Sequence, residues 1–221
     1  MKNLMTLLSF LAIGFCAAQD PKNDLLTDAV KTFDDAKDLS GMLVSTQLFK
    51  QASSSQPDSW ISSYWTAFAF SQCGRLTETP LAYYDTAQLY LDKTKEKINS
   101  LDDSQKSDVY ALESLISGLK SGPYWAQGDR ENGMKFSAIE NQSLSKAMAL
   151  NMDNPRVYLL TGTGLISDGK RIQNDGYILA GRKMLEIARQ KYEANDLDDA
   201  LYPNWGHGWI NFWMANSKLP E

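Results

Sequence analysis

Two cysteines and one histidine are all the thiol and imidazole groups in this chain of 221 residues. A zinc site needs three or four protein ligands, and one histidine with one buried cysteine is too few for its usual set. One cysteine, Cys16, falls in an apolar N-terminal stretch treated below. That leaves Cys73, which has no partner for an internal disulfide, so the fold must rely on its core. Cys73 sits in the apolar run "AFAFSQCG" and reads as a small buried hydrophobe. Positive charge is also scarce. Lys and Arg total 22 against 27 Asp and Glu, a net charge of −5. That balance makes the chain a poor candidate for nucleic acid or anionic membrane, which need basic patches, and no nucleic-acid partner is expected. No stretch alternates apolar and polar residues between hairpin turns, so strands are not expected. Beyond the N-terminus no apolar run approaches the roughly 20 residues of a membrane span.

Catalytic signatures are missing as well. His207, in "NWGHGW", is the one candidate base for a Ser-His-Asp triad, and no G-x-S-x-G turn is present to hold a nucleophile. "GTG" at 162–164 lacks the Gly-Lys-Ser/Thr of a phosphate loop. The acidic run "DLDD" at 196–199 lacks the ligand spacing of an EF-hand. No catalytic residue, cofactor or metal is expected. His207 keeps two non-catalytic readings, a structural hydrogen-bonding residue or a groove-lining one.

Residues 1–18 have the layout of a secretory leader: Lys2, then the short apolar "LMTLLSFLAIGF", then Cys16-Ala17-Ala18. Cleavage is expected before Gln19, leaving residues 19–221 as one domain with a net charge of −6. An uncleaved N-terminal anchor is the alternative. Lipidation at Cys16 is disfavoured, because Phe15 is large where that processing wants a small residue. Export places the chain in the periplasm or outside the cell, with peripheral association with the envelope left open.

What fills the mature chain is helical periodicity. With 43% apolar residues it has the makings of one globular domain. Leu26, Ala29, Val30, Phe33 and Ala36 form a stripe ending near Gly41, and Met42 to Ala52 continues as a second helix. Thr79-Pro80 reads as a helix start. Leu81 to Ile98, Val109 to Leu119 and Met184 to Lys191 follow, the middle one stopped by Gly122-Pro123. Loops are expected at 121–133, 167–176 and 195–204. Tyr124 and Trp125 in the first either clasp a ligand or plug the space between neighbouring helices.

Four aromatic residues recur after turns: Trp60, Tyr110, Tyr158 and Trp205, spaced by 50, 48 and 47 residues. Each interval holds one helical hairpin. Four positions further on stand Tyr64, Ser114, Gly162 and Trp209, on the same helix face as the ring that precedes them. In "NMDNPRVYLLTGTG" proline opens a helix, Tyr158 fills the inter-helix space, and Gly162 admits a neighbouring backbone. The alternative is a helical bundle whose turns happen to be evenly spaced.

The stretch "SLSKAMALNMDNPRVYLLTG" resembles the junction between two tetratricopeptide repeats, with Ala147, Asp153, Asn154, Pro155, Tyr158 and Gly162 in matching order. The close match covers about twenty residues, and looser copies cover most of the mature chain. The period departs from the family, near 48 rather than 34, and Tyr64 and Trp209 fill a slot that is usually small. The resemblance implies an all-α, tetratricopeptide-like solenoid of about four hairpins. It implies a concave face lined by positions five and eight after each ring: Trp65 and Phe68, Leu115 and Gly118, Thr163 and Ile166, Ile210 and Trp213. Arg156 could reach that face and hold a carboxylate. The expected binding residues are therefore Trp65, Phe68, Tyr124, Trp125, Arg156, Thr163, His207 and Trp213. The function expected is a non-catalytic module that docks a protein or peptide segment. A peptide- or glycan-binding protein using the same aromatic groove is the alternative.

Overall fold

A computed structural model describes residues 21–194 and 201–218. The leader, Cys16, the cleavage point before Gln19 and the acidic run at 196–199 lie outside the described residues. Among those described, every regular element is helical, and the fold class is all-α. The elements are α1 (Pro21–Asp35), α2 (Leu39–Ser55), α3 (Trp60–Gly74), α4 (Leu81–Lys95), α5 (Asp103–Ala126), α6 (Arg130–Leu150), α7 (Pro155–Ile172), α8 (Asp175–Ala194) and α9 (His207–Asn216). A 3-10 turn at Ile98–Ser100 leads into α5.

Short polar side chains start the helices by occupying backbone donors that a first turn leaves unpaired. Asp38 caps α2 through the amide of Gly41. Asp102 and Gln105 form a reciprocal capping box on α5. Asn154 accepts from the amide of Arg156, and Pro155 takes the first position of α7, where its missing N–H costs nothing. That is the helix start the sequence announces. At its far end α7 closes on Gln173 in the left-handed region (φ 56°), with the Asn174 amide bonded to the Gly169 carbonyl at 2.8 Å.

Three expected boundaries move. The loop at 121–133 shrinks to residues 127–129, because α5 runs through Gly122 and Pro123 to Ala126. A proline forgoes its own donor and crowds the carbonyl four residues back, yet α5 continues for three residues past Pro123, with Tyr124 stacked on Phe136 at 5.4 Å. The loop at 167–176 shrinks to 173–174. Gly41 lies in the first turn of α2, and α1 ends earlier, at Asp35.

The helices pack as pairs, α1 with α2, α3 with α4, α5 with α6 and α7 with α8, and the second helix of each pair leans on the first of the next. α3, α5 and α7 also touch in succession. The evenly spaced rings do not hold equivalent positions: Trp60 opens α3, Tyr110 lies eight residues into α5, Tyr158 lies four into α7, and Trp205 precedes α9. The residues four further on do face inward. Tyr64, Ser114 and Gly162 are buried and Trp209 half-buried. At Gly162 an added Cβ would lie 2.8 Å from the carbonyl of Gly181, so the glycine marks a real approach of α8.

The core is aromatic on one side. Trp65, Phe49 and Phe68 join Tyr64 in α2 and α3, and Leu112, Ile116, Leu159, Ile166 and Leu185 continue it through α5, α7 and α8. The segment from Leu201 onward folds back over this face. Trp65 Nε1 donates to the Leu201 carbonyl at 2.8 Å, and Trp205 Nε1 donates to the Tyr64 hydroxyl at 2.7 Å. Trp205 also stacks on Phe68, with ring centroids 4.9 Å apart.

Candidate binding clefts around His207

The returning segment leaves a cleft on each side of itself, and the exposed imidazole of His207, at the start of α9, borders both. The first, about 370 Å³, is aromatic. Phe33, Trp65, Phe68, Trp205 and Trp209 form its walls, while Asp34, Gln72 and Asn204 supply polar groups. Burial, then the neighbouring Asp35, raises the Asp34 carboxyl above its ordinary range.

The second, about 360 Å³, has a polar floor. Asp108, inside α5, accepts from Arg156 Nη1 and from Asn154 Nδ2, both at 2.8 Å. Asn154 also donates to Ser107 at 2.9 Å, which fixes the turn into α7 against α5. Burial raises the Asp108 carboxyl; the Arg156 charge and hydrogen bonds from Tyr202, Asn154 and Arg156 oppose it. Burial followed by the Asp108 charge pushes the Tyr202 phenol up, and burial does the same to Tyr192. Both therefore present neutral hydroxyls. The face of the Arg156 guanidinium lies 5.4 Å from the Trp205 ring centre, a cation–π contact. Its buried Nε and Nη2 have no hydrogen-bond partner among the described residues. The rim carries Ser104, Asn151, Asn204 and an Asp153–Lys191 ion pair of 2.7 Å across to α8. Tyr192 donates to the Trp205 carbonyl and stacks on His207 at 5.2 Å.

The structure thus gathers Trp65, Phe68 and His207 at one cleft, and Arg156 and His207 at the other. Trp65, Phe68 and Arg156 are each no more than 2% exposed, however, so they form floors and walls rather than an open concave face. The physical reason is the Leu201–Trp209 segment, which occupies that face itself. Arg156 is committed to Asp108 instead of standing ready for a carboxylate. Tyr124 and Trp125 lie at the α5–α6 tip, borders of neither cleft. Trp125 covers Gly133 and Tyr124 stacks on Phe136. Thr163 donates to the Leu160 carbonyl within α7, and Trp213 packs edge-on against Phe212.

Sequence reasoning missed Asp108, Asn154, Tyr192 and Tyr202 as cleft residues. Tyr202 lies within, and Tyr192 just before, the stretch 195–204 read only as a loop. Asp108 looks like any polar residue of an amphipathic helix. Ser104, Asp108 and Asp153 line the second cleft together with His207, whose ring stacks on Tyr192. Burial pushes the Cys73 thiol up to about 11, so it is protonated at neutral pH. No described helix is long and apolar enough to cross a membrane.

No known protein family, curated protein or solved structure matches the chain.

Proposed function

We propose that the chain is an exported, non-catalytic interaction module, a tetratricopeptide-like stack of hairpins that docks a segment of a partner protein beside its own returning C-terminal segment. The observation that carries this reading is the way the aromatic face already holds a polypeptide. Indole donors and ring stacking fix Leu201 and Trp205 on α3, a mode of recognition suited to chain segments in general. The aromatic cleft continues that surface to Gly208, where a Cβ would meet nothing within 4 Å. A partner apolar or aromatic side chain entering it meets Phe33, Phe68 and Trp209, with Asp34 and His207 at the mouth. The mature chain's net charge favours a neutral or basic partner segment. Docking of this kind supports a role as scaffold or adaptor in the periplasm or outside the cell.

The test places a photo-crosslinking amino acid at His207 and, as a control, at Gln142 on the exposed side of α6. Irradiation in intact cells is expected to join one defined protein to the first variant and not to the second, and Asp34→Arg is expected to abolish the product. A product equal at both positions, or none at His207, would contradict the reading. A glycan stacked on Trp65 or Phe68 is less well supported, because both rings are covered.

A further inference from the structure

The polar cleft asks for a different occupant. Its floor is costly: Asp108, Asn154 and Arg156 are at most 3% exposed, and such buried ion pairs seldom stabilise a fold relative to apolar replacements. The floor is also incomplete. Arg156, which lines the cleft, gives Nη1 to Asp108, and its buried Nε and Nη2 have no hydrogen-bond partner among the described residues. Buried donors left in this state call for an acceptor oxygen.

We propose that this cleft is a binding site for an uncharged, polyhydroxylated ligand, a saccharide unit. The charge balance decides against ions. Arg156 is matched by Asp108 and Lys191 by Asp153, so neither an anion nor a cation gains a free partner. An anion would also face two carboxylates. The groups around the mouth are amides and hydroxyls (Asn151, Asn204, Ser104 and Tyr202); Asn151 gives its Nδ2 to Ser104 at 3.1 Å and Tyr202 bonds Ser104 and Asp108, an uncharged network that a sugar hydroxyl, which both gives and accepts, can join. Stacked Tyr192 and His207 offer flat surface to a sugar ring. The volume sits at the small end of the range for small-molecule sites, roughly 300–1,000 Å³, and suits one or two rings rather than an extended chain. The inference does not depend on partner docking, which uses the other cleft.

The test is amide-resolved NMR titration of the purified protein with glucose, galactose, N-acetylglucosamine, maltose and myo-inositol. Glucuronate, glucosamine and a pool of neutral tripeptides serve as comparators. At least one neutral sugar is expected to shift amides in Asn151, Asn154, Arg156 and Tyr202. Tyr202→Phe and Ser104→Ala, which keep ring and backbone, are each expected to weaken binding about fivefold, the equivalent of one neutral hydrogen bond. Arg156→Lys, which keeps the charge and loses the fork, is expected to weaken it further. Their circular dichroism should remain that of the parent, so a loss can be assigned to the site. No shift with any neutral sugar, shifts that map outside the cleft, or binding confined to the charged sugars or tripeptides would overturn the proposal. Loss of the crosslinked product in Asp34→Arg, a residue of the aromatic cleft and not of this one, reports on the partner reading separately.

Discussion

Arg156 stands two residues before Tyr158 and 48 residues from the carboxylate it pairs with. Alone in the sequence it reads as a surface cation at a helix start, free to meet a ligand. In the fold it is a floor residue, and its value lies in what its removal leaves behind. Arg156→Ala strands the Asp108 carboxylate in the interior, a loss expected at about 3–5 kcal/mol in urea unfolding. Asp108→Asn combined with Arg156→Met removes both charges and is expected to recover most of that loss. Equal destabilisation in the double variant would show that the pair is not a self-contained charge unit. The sequence carried half of this arrangement. Asn154 and Pro155 advertise a capped helix start through known backbone chemistry, whereas nothing local to Asp108 distinguishes a buried acid from a solvated one.

At the scale of helices, α7 and α8 touch through glycines on both sides. The Gly162 position lies 2.8 Å from the Gly181 carbonyl and 3.0 Å from the Leu185 side chain, measured from where a Cβ would stand. Gly162→Ala must push the helices apart and is expected to cost about 1–3 kcal/mol. Gly164→Ala, on the same helix with nothing within 4 Å of its Cβ position, is expected to raise stability by about 0.5–1 kcal/mol. Thermal unfolding of the two variants makes the comparison, and shifts of the same sign would contradict this packing. Period and spacing made this much legible: the helix, its start, and the need for a small residue one turn after Tyr158. Helix ends were less legible. Gly122, Pro123 and the polar run after Ser167 have the composition of breakers, yet packing and the turn at Gln173 carry both helices further. Propensity is local, and these ends are set by neighbours.

Across the whole molecule the decisive feature is the return of Leu201–Asn216 onto the aromatic side of the stack. Arg182 anchors its far end through the Met214 carbonyl at 2.7 Å and Ser217, while Trp205 is held by Tyr64, Phe68, Tyr192 and Arg156. The family resemblance implied that Trp65 and Phe68 share one face, and in the fold both line the aromatic cleft as buried residues. It carried no information on what covers that face, because a loop's destination depends on contacts some 140 residues distant in the chain, as between Trp205 and Tyr64. Both proposed clefts exist only as the margins of this covering segment. Hydrogen exchange read by mass spectrometry, comparing the parent with Trp205→Ala, tests that dependence directly. Amides of α3 around Tyr64–Phe68 and those of α9 are expected to lose protection by tenfold or more, about 1.4 kcal/mol of local opening, while α6 is unchanged. Protection of α3 and α9 that survives the loss of this one indole would contradict the picture of a face closed by its own chain.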